Sequence, residues 1–476
     1  MRVLAHCVCV LVVVVGGPGS VTAQHACDPQ RLPPAPGTPP NDFASALATN
    51  GSQWLIGDGG ARTWCPGDPF SCAAGALYSY EVFDGVLEHV QTIIPPDIAF
   101  ADNFGDTVVV DGTRMLVGIP GRDWPDTRLV GGAIVYEYAG GWWVEADRLR
   151  PPPEFDPDIQ YSGFGGHIAL DGDLALLRPS RADAGVVMVF HRTPDGWTFR
   201  ESLEAPDGVP DDAYFGENPA LSDDWLFVTA RDDSTAADRA GSVYAYRRHG
   251  DDSLEFVQKL YAPDPQERDR FGYSIDHQGT TLVVGAFLAD RPFDGQGLVF
   301  VYGLENDRWV LRQEIALGDA RRNDGFGAAV HLDGDLLLAQ ARGRRDGTSS
   351  GKVFRFERDA AGHWYEIGQL VPNPPVYAGS YGWAMASAGG ASGMALVGAH
   401  DDVTLPADQY GAAYYFDLAC NPCVPDLDLD GALTIFDFLT FLNLFEDGEA
   451  AADFDGDGEL TIFDFLAFQT AFQAGC

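Results

Sequence analysis

An aromatic residue followed by Gly or Ala recurs along most of the chain, at Phe43-Ala44, Phe104-Gly105, Phe164-Gly165, Phe215-Gly216, Phe271-Gly272, Phe326-Gly327 and Tyr381-Gly382. The spacing runs from 51 residues (Phe164 to Phe215) to 61 (Phe43 to Phe104). A repeat of this length constrains the fold strongly. One supersecondary unit cannot bury its apolar face alone, so copies must pack on copies. Each unit has the same internal order. An apolar strand ends in a tight Asp-Gly turn, as in TVVVDG and AVHLDG, and a buried strand such as MLVGIP or LVVGAF follows. After a variable charged loop comes an aromatic strand (GAIVYEY, GSVYAYR, GLVFVYG), then a fourth strand that ends near Pro. Four short antiparallel strands per unit, repeated seven times, predict an all-β body, a seven-bladed β-propeller of four-stranded blades.

The last unit lacks a fourth strand, because GAAYYFDLAC runs directly into the tail. Residues 28–44, DPQRLPPAPGTPPNDFA, align with the end of a fourth strand and the approach to the next aromatic. The mature N-terminus is therefore expected beside residues 411–418, closing the ring and removing its open edges. Ahead of it, Arg2, an apolar VCVLVVVVGG run and Val21-Thr22-Ala23 read as a secretory signal over residues 1–23. No other apolar run has transmembrane length. The expected divisions are 1–23 (signal), 24–419 (propeller) and 420–476 (tail), in an exported chain.

The formal net charge of −40 excludes nucleic acid as a natural partner. Without Cys7 and Cys9 of the signal, Cys27, Cys65, Cys72, Cys420, Cys423 and Cys476 remain, an even number that suggests disulfides in an oxidising compartment. Cys65 and Cys72 share one short loop. Aligning the first residues with a normal fourth strand sets Cys27 near Cys420, which leaves Cys423 with Cys476. Cys420 and Cys423 are so close in sequence that either could take either partner.

The tail carries two copies of one acidic loop, DLDLDGALTIFD at 426–437 and DFDGDGELTIFD at 453–464, each followed by an apolar helical stretch. Asp at positions 1, 3, 5 and 12, Gly at 6 and a backbone carbonyl at 7 suit a hard cation. Asp426, Asp428, Asp430, Asp437 and the Ala432 carbonyl are expected to hold one Ca²⁺. Asp453, Asp455, Asp457, Asp464 and the Glu459 carbonyl are expected to hold a second. Between Cys420 and Cys476 stand nine Asp and three Glu and no Lys or Arg, so the tail should fold only with metal bound. Alternation along the repeats suggests that Leu433, Leu439, Leu460 and Leu466 pack the two helices together.

The body repeats, with their trailing VGA-like and G-x-V-x-Y-like elements, resemble the FG-GAP repeats of integrin α-subunits and of bacterial surface proteins. The chain departs from the calcium-binding variety of those blades: its first turn is only Asp-Gly, so no metal is expected in the propeller. The tail, a calcium loop followed by one helix, twice, resembles the dockerin module of bacterial extracellular assemblies. Its terminal Gly475-Cys476 resembles the GC-type variety, which implies pairing of Cys476 with Cys423 or Cys420. That resemblance also implies that the position 10 and 11 pairs, Ile435-Phe436 and Ile462-Phe463, meet a cohesin-like protein or envelope receptor.

No catalytic residue is singled out. The ten His are scattered, no Ser has the setting of a G-x-S-x-G elbow, no H-E-x-x-H occurs, and the Asp residues after second strands (Asp123, Asp183, Asp232, Asp290, Asp346) read as loop caps. The resulting expectation is a secreted, extracellular or surface-associated bacterial protein that is not an enzyme. Its propeller would bind an unknown protein or glycan, and its tail would anchor it. The alternative is an extracellular carbohydrate-active enzyme, a hydrolase or lyase, carried on the same anchor. A convergent polar cluster in the central channel would favour the enzyme.

Overall fold

The computed structural model describes residues 29–32, 42–65, 71–83, 85–124, 130–152, 163–179, 185–208, 213–222, 224–345, 350–372, 380–400, 411–419, 427, 435–447, 452, 454 and 460–474. Seven four-stranded antiparallel sheets occupy 43–93, 108–149, 164–204, 215–260, 274–315, 326–370 and 385–417, blades one to seven in chain order. The first strands of successive blades touch all the way around, and those of blade seven touch that of blade one. The ring closes through Gln30–Leu32, which pairs antiparallel with Ala412–Asp417 in the register Gln30↔Tyr415 and Leu32↔Ala413. This supplies the outer strand that blade seven lacks in its own stretch of sequence.

The repeated residues act as a clasp between blades. In blade three the Phe164 N–H donates to the Val130 carbonyl of blade two at 2.8 Å, and the Gly132 N–H donates back to the Phe164 carbonyl at 2.7 Å. Gly131 lies between them with φ +77°, and a Cβ there would sit 2.3 Å from the Phe164 oxygen. Only Gly fits so close an approach in that conformation. Gly75, Gly241, Gly297, Gly351 and Gly411 stand at the same place in other blades, the last against Phe43 where the ring closes. The aromatic side chains enter the apolar layers between blades, and Phe43, Phe104, Phe164, Phe271 and Phe326 have no exposure. One such layer joins Leu116, Val135 and Leu149 of blade two to Phe164, Ile168, Leu177 and Met188 of blade three. The core is thus a ring of interblade layers. At about 2–3 kcal/mol per buried Phe, those layers dominate the stability of the body.

The innermost strands have unpaired inner edges, whose backbone groups need partners. Side chains of one blade supply them to the next. The Thr107 hydroxyl donates to the Gly165 carbonyl at 2.7 Å, and Ser274 to Gly327 at 2.8 Å. The Asp276 carboxylate accepts from the Leu332 N–H at 2.8 Å, and His331 Nε2 accepts from the Ser387 N–H at 3.0 Å. In blades one to six the third and fourth strands shift register just before an aromatic (Tyr80, Tyr136, Phe190, Tyr246, Tyr302, Phe356), a bulge built into the repeat. Trp143, Trp309 and Trp364 at the starts of fourth strands are buried, while the neighbouring Trp142 is exposed.

Residues Gln30–Tyr415 form one compact unit, and the chain from Phe416 belongs to a second. The second contains two helices, α1 (Ile435–Asp447) and α2 (Ile462–Ala474). Its core is aromatic. Phe441 and Phe468 are fully buried and stack with centroids 4.3 Å apart, with Phe438, Phe454 and Phe465 around them. This corrects the expected Leu packing: Leu439 and Leu466 are each 47% exposed, Leu460 is partly buried, and Leu433 lies outside the described residues. The i, i+3, i+4 positions Phe438, Phe441 and Leu442 set the inward face instead, because helix spacing rather than strand-like alternation governs here. No helix among the described residues is long and apolar enough to cross a membrane.

Candidate functional site

The position 12 carboxylates of the two tail loops, Asp437 and Asp464, lie in the first turns of α1 and α2 and have no exposure. Asp437 accepts from the Leu427 N–H at 2.8 Å, and Asp464 from the Phe454 N–H at 2.8 Å. Each bond ties the backbone of loop position 2 to the carboxylate at position 12 in the first turn of the helix. A buried carboxylate in each loop, in a segment without basic residues, fits a divalent cation. The other expected ligands (Asp426, Asp428, Asp430, Ala432, Asp453, Asp455, Asp457 and Glu459) lie outside the described residues, as do Cys27, Cys420, Cys423 and Cys476. Cys65 and Cys72 are bonded, with Cα atoms 6.0 Å apart, and tie a small two-stranded excursion of blade one. Ile435, Phe436, Ile462 and Phe463 are each more than 60% exposed. Together with Leu439 and Leu466 they form two identical apolar sets on the helices.

In the propeller a cavity of about 630 Å³ occupies the central channel at the aromatic-Gly end of the inner strands, with all seven blades on its wall. Its polar groups divide into two sides. On blades one, two and seven stand Asp42, Asp106 and His400. Burial, reinforced by Asp42, pushes the Asp106 carboxyl up to about 6, and His400 opposes the rise. On blades three to five stand His167, Glu217, Arg231 and Tyr273. Burial, helped by Arg178 and Arg231, drives His167 down to about 3. Arg231 Nη1 is 2.5 Å from Glu217 Oε1, and its guanidinium lies 4.2 Å from the Tyr214 ring. Burial holds Glu217 above the ordinary carboxylate range against the pull of Arg231 and Arg178. Its second oxygen has no hydrogen-bond partner.

Arg178 explains part of this asymmetry. At its place near the end of the second strand, Gly57, Gly118, Gly285 and Gly398 let the next blade approach, and a Cβ on Gly118 would meet the Gly165 oxygen at 2.1 Å. Blades three and six carry long donors there. Arg178 Nε reaches the Phe215 carbonyl at 3.4 Å and Gln340 Nε2 the Tyr381 carbonyl at 2.7 Å. Burial lowers Arg178 to about 10. The sequence reading missed this cluster. The available signal was LALLRP and LLLAQA where other blades read VGA-like. Of the Asp residues read as loop caps, Asp290 accepts from the Gly295 N–H at 2.5 Å, Asp232 pairs with Arg270 at 3.0 Å, and Asp123 is exposed. Asp183 and Asp346 lie outside the described residues. Among the described residues no group of three His, Cys, Asp or Glu is arranged to hold a metal.

Comparison with known proteins adds the repeat family. Residues 197–246 and 254–302 match the FG-GAP repeat. No curated protein sequence matches the chain. Among solved structures, the chain is similar to a Bacteroides uniformis protein provisionally identified as a 6-phosphogluconolactonase (14% identity, 69% of this chain and 85% of that one, TM-score 0.47). It is also similar to the periplasmic gluconolactonase PpgL of Pseudomonas aeruginosa (14%, 69% and 85%, TM-score 0.44) and to Saccharomyces cerevisiae Sqt1 (10%, 82% and 99%, TM-score 0.42). At these scores no activity passes from them to this chain. The body of the protein is a seven-bladed β-propeller that contains FG-GAP repeats at residues 197–246 and 254–302.

Proposed function

We propose that the chain is an exported, non-catalytic binding protein whose propeller holds a ligand and whose C-terminal unit docks it to a cohesin-type protein or an envelope receptor. One observation carries this reading: Ile435-Phe436 and Ile462-Phe463 stand exposed in the same way on two helices whose other aromatics are wholly or partly buried. Large apolar side chains held at the surface in two matched sets mark an interaction site. Two Ca²⁺ ions, held by the Asp residues at positions 1, 3, 5 and 12 of each loop, would shape the loops and fix the helix starts that present these pairs. Capture of a cohesin-type partner by the full chain tests the proposal. Binding should need calcium and be lost in the Phe436→Ser, Phe463→Ser double variant. Capture indifferent to both would overturn it.

A second reading, a carbohydrate-directed hydrolase or lyase on the same anchor, is favoured by one specific feature. Asp106 and Glu217, two carboxyl groups raised by burial, line the same cavity. Raised carboxyls suit general acids. Glu217, however, is already paired with Arg231, which supports a binding role over a proton-transfer role. Release of new reducing ends from a polysaccharide, lost in Asp106→Asn, would establish the enzyme instead.

A further inference from the structure

We propose that the aromatic-Gly mouth of the channel binds a carboxylated saccharide, gripped by Arg231 and Arg342 against the faces of Tyr273 and Trp383. This rests on the binding reading above and names its ligand class. The four side chains form one continuous arc around blades four to seven. The Arg231 guanidinium lies 5.6 Å from the Tyr273 ring. Arg342 Nη1 donates to the Tyr273 hydroxyl at 3.5 Å, and its guanidinium is 5.9 Å from the Trp383 ring. Trp383 is 44% exposed although it lines the cavity, an unusual position for a purely structural indole.

Charge points to an anion. In a chain of net charge −40, no carboxylate among the described residues lies within ion-pair distance of Arg342 or of the buried Arg178. The Arg178 terminal nitrogens, in a residue only 1% exposed, have no hydrogen-bond partner. This side of the mouth is therefore locally cationic, and a guanidinium fork suits a carboxylate. The remaining groups point to a hydroxylated ring. Glu217 is 9% exposed, lines the wall, and leaves Oε2 without a donor, while Asp106 offers a second acceptor across the cavity. Sugar hydroxyls supply such donors, and the C–H face of a sugar ring packs on an aromatic face. The cavity, about 630 Å³, has the size of a small-ligand site.

Calorimetric titration of the full chain in excess calcium, with trigalacturonate and with maltotriose as its neutral counterpart, tests the assignment. Trigalacturonate should bind saturably and maltotriose should not. Arg342→Ala and Trp383→Ala, both at exposed positions, should each weaken binding at least about tenfold while leaving the melting temperature unchanged. Equal binding of both sugars, no binding of trigalacturonate, or binding unaffected by either variant would overturn the assignment. The underlying reading fails separately: reducing ends released from trigalacturonate would overturn the non-catalytic role and leave the site in place.

Discussion

The propeller and the tail are both built from repeats, yet they solve opposite problems. The propeller repeats hide their signature residues: the aromatic of each Phe-Gly pair is buried in the layer between blades, and Gly131 and its counterparts let the backbones touch. The tail repeats display theirs. Among the described residues there, only Phe441, Ala452 and Phe468 are fully buried apolar residues, while six large apolar side chains stand exposed in matched sets. A repeat kept in register can therefore mean packing in one region and, on the proposed function, recognition in another. Burial, not recurrence, separates the two. The same contrast assigns the source of stability. The ring has continuous apolar layers, whereas the tail has two fully buried Phe and nine Asp in its sequence, and on the proposed function it needs a cation to offset charge repulsion.

Substitutions can break this contrast. The largest effect is expected at the clasp. Gly131→Val places a Cβ against the Phe164 carbonyl in a left-handed conformation and should cost about 3–5 kcal/mol. Gly112→Ala, at an open turn with nothing within 4 Å, should cost only about 1 kcal/mol. Thermal melts of the two variants compare them, and equal losses would show that close approach at the clasp does not limit the fold.

Next comes deletion of residues 24–36, which removes the outer strand of blade seven and bares the edge of Ala412–Asp417. Concentration-dependent aggregation and a loss of about 2–4 kcal/mol are expected, measured by light scattering and denaturant titration.

A smaller effect separates the two sides of the channel. Asp106 has a folded value of about 6, above its ordinary 3.8, so its contribution is present at low pH and is lost as pH rises through 6. His167, lowered from 6.5 to about 3, works in the opposite sense and removes stability as pH falls below 6.5. Asp106→Asn should therefore raise stability at pH 7 by about 2–3 kcal/mol. It should also make the profile between pH 4 and 6 rise more, or fall less, with pH than that of the parent chain, because the loss that Asp106 contributes over that range is gone. An unchanged profile would mean that Asp106 is not held in its buried environment.

The smallest effect on stability is expected in the tail. Ile435→Ser with Ile462→Ser should change melting by less than about 0.5 kcal/mol per site, since both side chains are exposed, yet should weaken partner capture. A large stability loss would mean that these residues belong to the core.

Much of the fold was legible because the repeat carries its own register. The Phe-Gly pairs, the Asp-Gly turns and the Gly before each aromatic strand all recur in phase, and an N-terminal segment resembling a fourth strand matched the gap in blade seven. What remained hidden depends on three-dimensional neighbours. The channel cluster joins Asp106, His167, Glu217 and Arg231 from three blades; the first three follow their aromatic-Gly pairs by one or two residues, but that this repeat position faces the channel is known only from the fold. Arg178 was visible as a departure from VGA-like second strands, but its meaning required knowing that this position faces the next blade. In the tail, strand-like alternation misassigned Leu439 and Leu466, because the inward face follows the helical spacing of Phe438 and Phe441.

The central contrast, between an apolar ring and a tail proposed to depend on a cation, is tested most directly by calorimetric titration of Ca²⁺ into the metal-stripped full chain, followed in parallel by far-UV circular dichroism. The account expects two ions per chain, with helical signal gained on binding and the β-sheet melting transition of the propeller unchanged. Helix content that ignores calcium, or a stoichiometry near zero, would contradict it.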